Sequence, residues 1–196
     1  MGQPLTIRQG FTEDQRHAVA EVMYGGFERK LSPVLGDRER GTALLAAGLR
    51  PRTTLVAIEG DQVVGVAGLK YGGKGFMRLR LSDFIHVYGL LMAPVRLLLF
   101  GAMESPVPKD QLLLDMLAVS AEARGKGIGT RLLRAIFEFA RDHGYRKVRL
   151  DVVDTNPDAY RLYERMGFEP VRVQKFPIVG PWMGFHSATI MVHTLE

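Results

Sequence analysis

Residues 124–133 read RGKGIGTRLL, three glycines at alternate positions that run into a leucine-rich helical pattern. A glycine inside a helix costs about 1 kcal/mol relative to alanine. A glycine-rich helix entrance is therefore kept for another reason, usually close approach of the backbone to a second group. A helix N-terminus offers unpaired N–H groups and the positive end of the helix dipole, which suits phosphate. Two nucleotide-binding fingerprints fail here on their residues. The G-x-G-x-x-G pattern fits Gly125 and Gly127 but meets Thr130 at its third glycine. The G-x-x-x-x-G-K-[ST] pattern has Ser120 at its first glycine, and Gly127 follows Lys126.

Upstream of the loop, residues 111–119, QLLLDMLAV, form a continuous apolar run that predicts a central strand. Downstream, a helix is expected as far as His143-Gly144, with Gly144 as its stop, followed by KVRLDVV as another strand. Asn156-Pro157 starts a short helix that ends at Gly167, and EPVRVQKF and FHSATIMVHTL are two further strands. Before the loop, LTIRQG alternates as a first strand. Thr12 with Gln15 predicts a capping box for a helix reaching toward Phe27 or Leu31, ended by Ser32-Pro33. A second helix follows Asp37 and ends near Gly48. Two β-rich runs around Gly60-Asp61 read as a hairpin. The resulting order implies a mixed sheet with helices on both faces. Without repeats or low-complexity linkers, residues 1–196 are expected to form a single domain carrying an apolar insertion at about 74–108.

The loop and the short helix together resemble the GNAT superfamily of N-acetyltransferases. Arg124, Gly127 and Gly129 fill its [QR]-x-x-G-x-[GA] motif. Asn156, Ala159, Tyr163, Gly167 and Phe168 fill N-x-x-A-x-x-x-Y-x-x-x-G-F. The two motifs lie between residues 112 and 173. The resemblance implies an α/β (α+β) fold with a mixed, mostly antiparallel sheet of about seven strands. It implies acetyl-CoA as cosubstrate and direct attack of a primary amine on the thioester in a ternary complex. A non-catalytic acyl-CoA sensor on the same fold is the alternative.

Residue roles follow from the resemblance. Arg124, Gly125, Lys126, Gly127, Ile128, Gly129 and Thr130 are expected to hold the pyrophosphate. The backbone of Leu117, Ala118 and Val119 is expected to supply an oxyanion donor. Tyr163 is expected to touch the cofactor and to protonate the departing thiolate, since a phenol of pKa about 10 keeps its proton at neutral pH. Two readings of Tyr163 stand, acid or packed core tyrosine; Asn156 is either a cofactor contact or a helix cap. Asp115, an acid inside an apolar strand, is either the proton acceptor or a structural aspartate; period-two counting puts it on the face of Leu117 and Val119. Asp151, Asp154 and His86 are secondary candidates for that base.

Composition limits the alternatives. The chain has 196 residues, 46% hydrophobic and 24% charged, with no cysteine. Disulfides, thiolate metal sites and a cysteine nucleophile are excluded, and no metal is expected. The lack of cysteine and of a signal-peptide layout at the start suggests a cytoplasmic protein. The net charge is +5, with eight cations against three acids between residues 122 and 149. That excess fits a polyanion beside the loop or a solvated helix face. No nucleic-acid-binding motif accompanies it, so no nucleic-acid partner is expected. Residues 84–102, FIHVYGLLMAPVRLLLFGA, contain His86, Pro94 and Arg96. No membrane span is expected there, but a helix broken at Pro94. Residues 76–100 and 176–185 are read as an acceptor wall, as core, or as the seam of a homodimer.

Overall fold

A computed structural model describes residues 4–101, 110–177, 179–182 and 184–195. Seven strands form one sheet: β1 (Leu5–Gln9), β2 (Thr54–Glu59), β3 (Gln62–Lys70), β4 (Leu112–Val119), β5 (Lys147–Val153), β6 (Glu169–Lys175) and β7 (Ser187–Thr194). Their order is β1-β2-β3-β4-β5-β7-β6, and β4 with β5 is the parallel pair among antiparallel neighbours. The predicted mixed, mostly antiparallel sheet is the observed one. The far end of the insertion, residues 102–108, lies outside the described residues, as do Ile178 and Met183.

Helices α4 (Ile128–Asp142) and α5 (Pro157–Arg165) follow β4 and β5 and cover one face. Leu132, Leu133, Ile136 and Ala140 bury α4 against Leu112, Leu114, Val148 and Leu150 of the central strands. Helices α1 (Arg16–Leu35), α2 (Arg38–Gly48) and α3 (Leu81–Gly101) cover the other face. There, Val19, Met23, Leu44, Leu45 and Phe84 pack on Val56 and Val66. Each strand thus divides its side chains between two cores, as the pleat requires.

Both ends of α1 and the break in α3 differ from the sequence reading. Half of the predicted capping box forms: Gln15 Oε1 accepts the Thr12 N–H at 3.3 Å, and regular helix begins at Arg16. Helix α1 does not end at Ser32-Pro33 but continues to Leu35. The disturbance falls earlier, at Phe27 (φ −129°, ψ 20°), after the Gly25-Gly26 pair. Gly26 is needed there for space, since a Cβ on it would lie 2.6 Å from the Ala118 Cβ of β4. The α1 backbone thereby comes down onto the second half of β4.

Helix α3 breaks at Gly89 (φ 73°, ψ 170°) and not at Pro94. Glycine takes a positive φ without the steric cost other residues bear. Pro94 lies past the first turn of the second segment, where it removes the bond to the Leu90 carbonyl, yet the helix continues through it to Gly101. By length and composition α3 would reach across a membrane, but its two halves are too short to do so separately.

Candidate active site at the end of the central strands

The pairing of β4 with β5 stops early. Leu112, Leu113 and Leu114 pair with Val148, Arg149 and Leu150, and beyond them the strands separate. On its other side β4 stays paired with β3 as far as Val119. One edge of Asp115 to Val119 is therefore open. The Ser120 N–H donates to Val64 O of β3 at 2.9 Å. By the alternation of strand backbone, the N–H groups of Leu117 and Val119 point the other way, into the opening. The Ala118 N–H points to β3, so of the three predicted oxyanion donors two face the gap.

The glycine loop lies at the same end of the sheet, because it leaves β4 from its C-terminal side. Gly125 (φ 77°) and Gly127 (φ 76°) are left-handed, and a Cβ on either would meet nothing within 4 Å. Their glycines are fixed by backbone conformation, and the space before them is open. Gly129 has an ordinary φ, and a Cβ there would stand 3.3 Å from Leu162 Cδ2 of α5. It is a packing glycine that draws α5 to the start of α4. Gly127 is the N-cap of α4, with no side-chain cap bond and no acid in the first turn. None of the backbone N–H groups from Gly125 to Thr130 has a partner among the described residues. Six neighbouring donors at the positive end of a helix form an anion cradle.

Side chains at its rim are exposed. Lys126 Nζ lies 3.3 Å from Glu59 Oε2, and Arg124 Nε donates to Val119 O at 3.4 Å. Arg124→Ala is expected to weaken coenzyme A binding by about 1–3 kcal/mol, the worth of one charge-assisted hydrogen bond. Titration calorimetry at low salt checks this; unchanged affinity would leave the holding to backbone N–H groups alone.

Tyr163 and Asn156 come from α5. The Asn156 Oδ1 accepts the Ala159 N–H at 3.2 Å, so the cap reading accounts for its oxygen. Tyr163 is 9% exposed, with its ring edge-on to Phe168 at 5.8 Å between centroids. It belongs to the core on the α4 side, together with Val152 and with Leu117 and Val119 packed against that core. Its hydroxyl has no hydrogen-bond partner among the described residues. Burial pushes its pKa up to about 12.

Asp115 does not share the face of Leu117 and Val119. The β3–β4 register shifts at Gly68/Leu69: Gly68 pairs with Met116 and Leu69 with Leu114, so Asp115 is an extra residue in β4. A bulge of this kind reverses the alternation. Met116 packs with the α1-side core while Leu117 and Val119 pack with the α4-side core. Asp115 turns to the α1 side, where its Oδ2 meets Lys70 Nζ at 3.1 Å with both side chains mostly covered, 24% and 13% exposed.

A group of charges surrounds it, of which sequence reasoning named only Asp151. Arg149 and Asp151 of β5 form a two-pronged ion pair, with both N···O distances 3.0 Å. Lys30 of α1 faces the same place. Burial lowers its pKa, opposed by the nearby charges of Asp115 and Asp151. Sequence carried a faint signal: in KVRLDVV the charges alternate with residues buried on the α4 side. Nothing marked Lys30, which reaches the strands only through the fold of α1. Asp154 stands apart. Desolvation raises its pKa, but the backbone N–H groups of His186 and Ser187 and the Ser187 hydroxyl outweigh this and hold it low. That clamp at the start of β7 makes it a poor proton acceptor. His86 is exposed on α3. Among the described residues no group of three or more His, Asp or Glu side chains is arranged to hold a metal.

Two sets of groups thus flank one opening in the sheet: the cradle, Tyr163 and apolar β4 side chains on the α4 side, and a compact charge cluster on the α1 side. Residues 18–168 match the family model described as the Acetyltransferase (GNAT) family. The chain is 42% identical over 66 residues to the probable N-acetyltransferase family 8 member 5 of Mus musculus, covering 34% of this chain and 29% of that protein. It is 38% identical over 77 residues to the probable N-acetyltransferase camello of Xenopus tropicalis, covering 39% and 35%. The matched stretches span only about a third of these relatives. The fold is also that of an N-acetyltransferase from Staphylococcus aureus Mu50, with TM-score 0.67, 17% identity, and 95% and 99% of the two chains covered. A further acetyltransferase crystal structure aligns at TM-score 0.63 with 23% identity, covering 97% and 100%. The residues that make the cradle and the short helix lie inside the matched family region, and the chain belongs to the GNAT acetyltransferase family.

Proposed function

We propose that this chain transfers an acetyl group from acetyl-CoA to a primary amine, through a ternary complex that spans the opening between β4 and β5. The observation that carries this is the unpartnered N–H cradle at the same end of the sheet as the opening. Residues 124–130 fit coenzyme A, whose pyrophosphate suits neighbouring N–H donors at a helix N-terminus. The thioester arm then passes along Leu117 and Val119 into the gap, with Tyr163 on the same side. The acceptor amine comes from the α1 side, where Asp115 lies.

Each chemical need has a group in reach of that arrangement. The amine must lose a proton to become nucleophilic, and Asp115 takes it directly or through water. Attack on the thioester carbon builds negative charge on its oxygen, which the Leu117 or Val119 N–H stabilises. The C–S bond breaks as the amide forms. Tyr163 gives the departing sulfur its proton or a strong hydrogen bond, and the proton from the amine restores neutrality overall. Tyr163, whose ring is buried while its hydroxyl has no partner among the described residues, favours this over a sensor that only binds, since a binding module needs no proton donor there.

The test is thiol release from acetyl-CoA over a panel of small amines, peptides and free amino acids. Acceptor-dependent release supports the proposal; coenzyme A binding without turnover on any acceptor favours the sensor. Asp115→Asn is expected to lower kcat about 100-fold, the low end for a positioned base. Acetyl-CoA affinity should stay the same. Near-full kcat in the variant would leave Asp115 as the structural partner of Lys70.

The single sheet with cores on both faces supports one domain for the whole chain, and the lack of cysteine supports a cytoplasmic location. Among the described residues no structural feature selects a homodimer.

A further inference from the structure

We propose that the outer face of α3 docks on an anionic lipid surface. Among the described residues, Leu81, Leu90, Leu91, Met92, Val95 and Leu98 are large hydrophobics left exposed on this one helix, and elsewhere only Val171 and Val173 of β6 are. Leu91, Val95 and Leu98 follow one another at i, i+4 and i+7, so they share a face. The opposite face is well anchored. Phe84 and Ala93 are buried, the Tyr88 hydroxyl donates to Leu35 O at 2.6 Å, and Arg96 donates to Val34 O while lying over the Tyr88 ring. The exposed stripe is therefore not a core helix that failed to pack. It is the outer side of a helix whose inner side is already fixed.

Two features select lipid over a second copy of the chain. The first is charge. Between residues 74 and 101 the cations are Lys74, Arg78, Arg80 and Arg96, and the acid is Asp83 alone. The Asp83 carboxylate already accepts the Arg80 N–H at 2.7 Å. Lys74, Arg78 and Arg80 are exposed and have no ion pair among the described residues. Exposed cations in the segment that leads into this helix complement anionic headgroups and disfavour pairing of the segment with its own copy. The second is area. The segment after Gly89 holds about 12 residues and is about 18 Å long, so its face covers a few hundred Å² at most. A stable protein interface needs about 800 Å² from each partner. A bilayer boundary takes a short apolar stripe without shape complementarity. The break at Gly89 leaves the helix to lie on the surface rather than cross it. Because α3 packs on the face away from α4, docking leaves the coenzyme A cradle free.

Co-sedimentation of the full chain with vesicles tests this, using equimolar phosphatidylglycerol and phosphatidylcholine against phosphatidylcholine alone. The chain should sediment with the anionic vesicles, and less so at high salt. Leu90→Ser, Leu91→Ser and Leu98→Ser together should lower partitioning about tenfold or more, since these side chains are 77%, 86% and 75% exposed. Leu91→Glu alone, at the most exposed of them, should lower it severalfold without touching the core. Circular dichroism and coenzyme A affinity should be unchanged in both. No sedimentation with anionic vesicles, or sedimentation indifferent to Leu91→Glu, would overturn the proposal. So would a wild-type dimer that Leu91→Glu converts to monomer, which would make the stripe a subunit seam.

Discussion

Tyr163→Phe is expected to lower kcat about 10²- to 10⁴-fold while leaving acetyl-CoA affinity where it was, the pattern of a proton donor lost from the transition state alone. The substitution removes one oxygen and little volume, and Tyr163 spends its hydroxyl on no described partner. Packing against Phe168 should hold. Burial holds the phenol proton up to about 12, against an ordinary value of 10.0. The donor is therefore protonated at every pH where the enzyme is normally assayed, and the wild type should show no alkaline limb from this group. Stability carries the opposite signature. Above pH 10 the unfolded chain releases this proton while the folded chain keeps it, so the folded state binds more protons and stability falls toward pH 12. Tyr163→Phe should lose less stability over that window. Steady-state kinetics from pH 6 to 10, with denaturation at pH 10 and above, measure both. Near-full kcat in the variant would make Tyr163 a core tyrosine, and the thiolate would then leave unassisted.

Gly127→Asp should reduce coenzyme A affinity at least about 100-fold. Two effects add. Left-handed backbone costs a non-glycine residue about 1–2 kcal/mol. A carboxylate at the N-cap of α4 also takes the place of the anion that the free N–H groups and helix dipole would otherwise attract. Gly127→Ala separates them, because it bears the backbone cost without the charge; since its Cβ meets nothing within 4 Å, it should bind far better than the aspartate variant. Equal losses in the two would mean that strain in the loop, and not the anion site, governs binding. Calorimetry with coenzyme A and with its dephosphorylated arm distinguishes these.

The sequence was most legible where one local rule acts alone. Strand β5 emerged residue for residue from its alternation, and Asn156-Pro157 with Gly167 bounded α5 correctly. The cradle was readable because glycine at alternate positions before a leucine-rich helix is costly unless bare backbone is needed there. Legibility failed where tertiary packing overrides the local rule. A bulge at Asp115 turned its side chain to the opposite face, and no alternation pattern announces a bulge. Gly26 was silent because its cause, the Ala118 methyl, lies more than 90 residues downstream. Pro94 looked like the natural break in α3, but Gly89 took it. The Lys30, Lys70, Asp115, Arg149 and Asp151 group joins α1, β3, β4 and β5, so only the assembled sheet brings it together.

The most direct measurement is calorimetric titration of the full chain with coenzyme A. A cradle of unpartnered N–H groups at the end of β4 predicts saturable binding at one site, weakened by salt and lost in Gly127→Asp. Absence of any binding of coenzyme A or acetyl-CoA to the folded wild-type chain would contradict it.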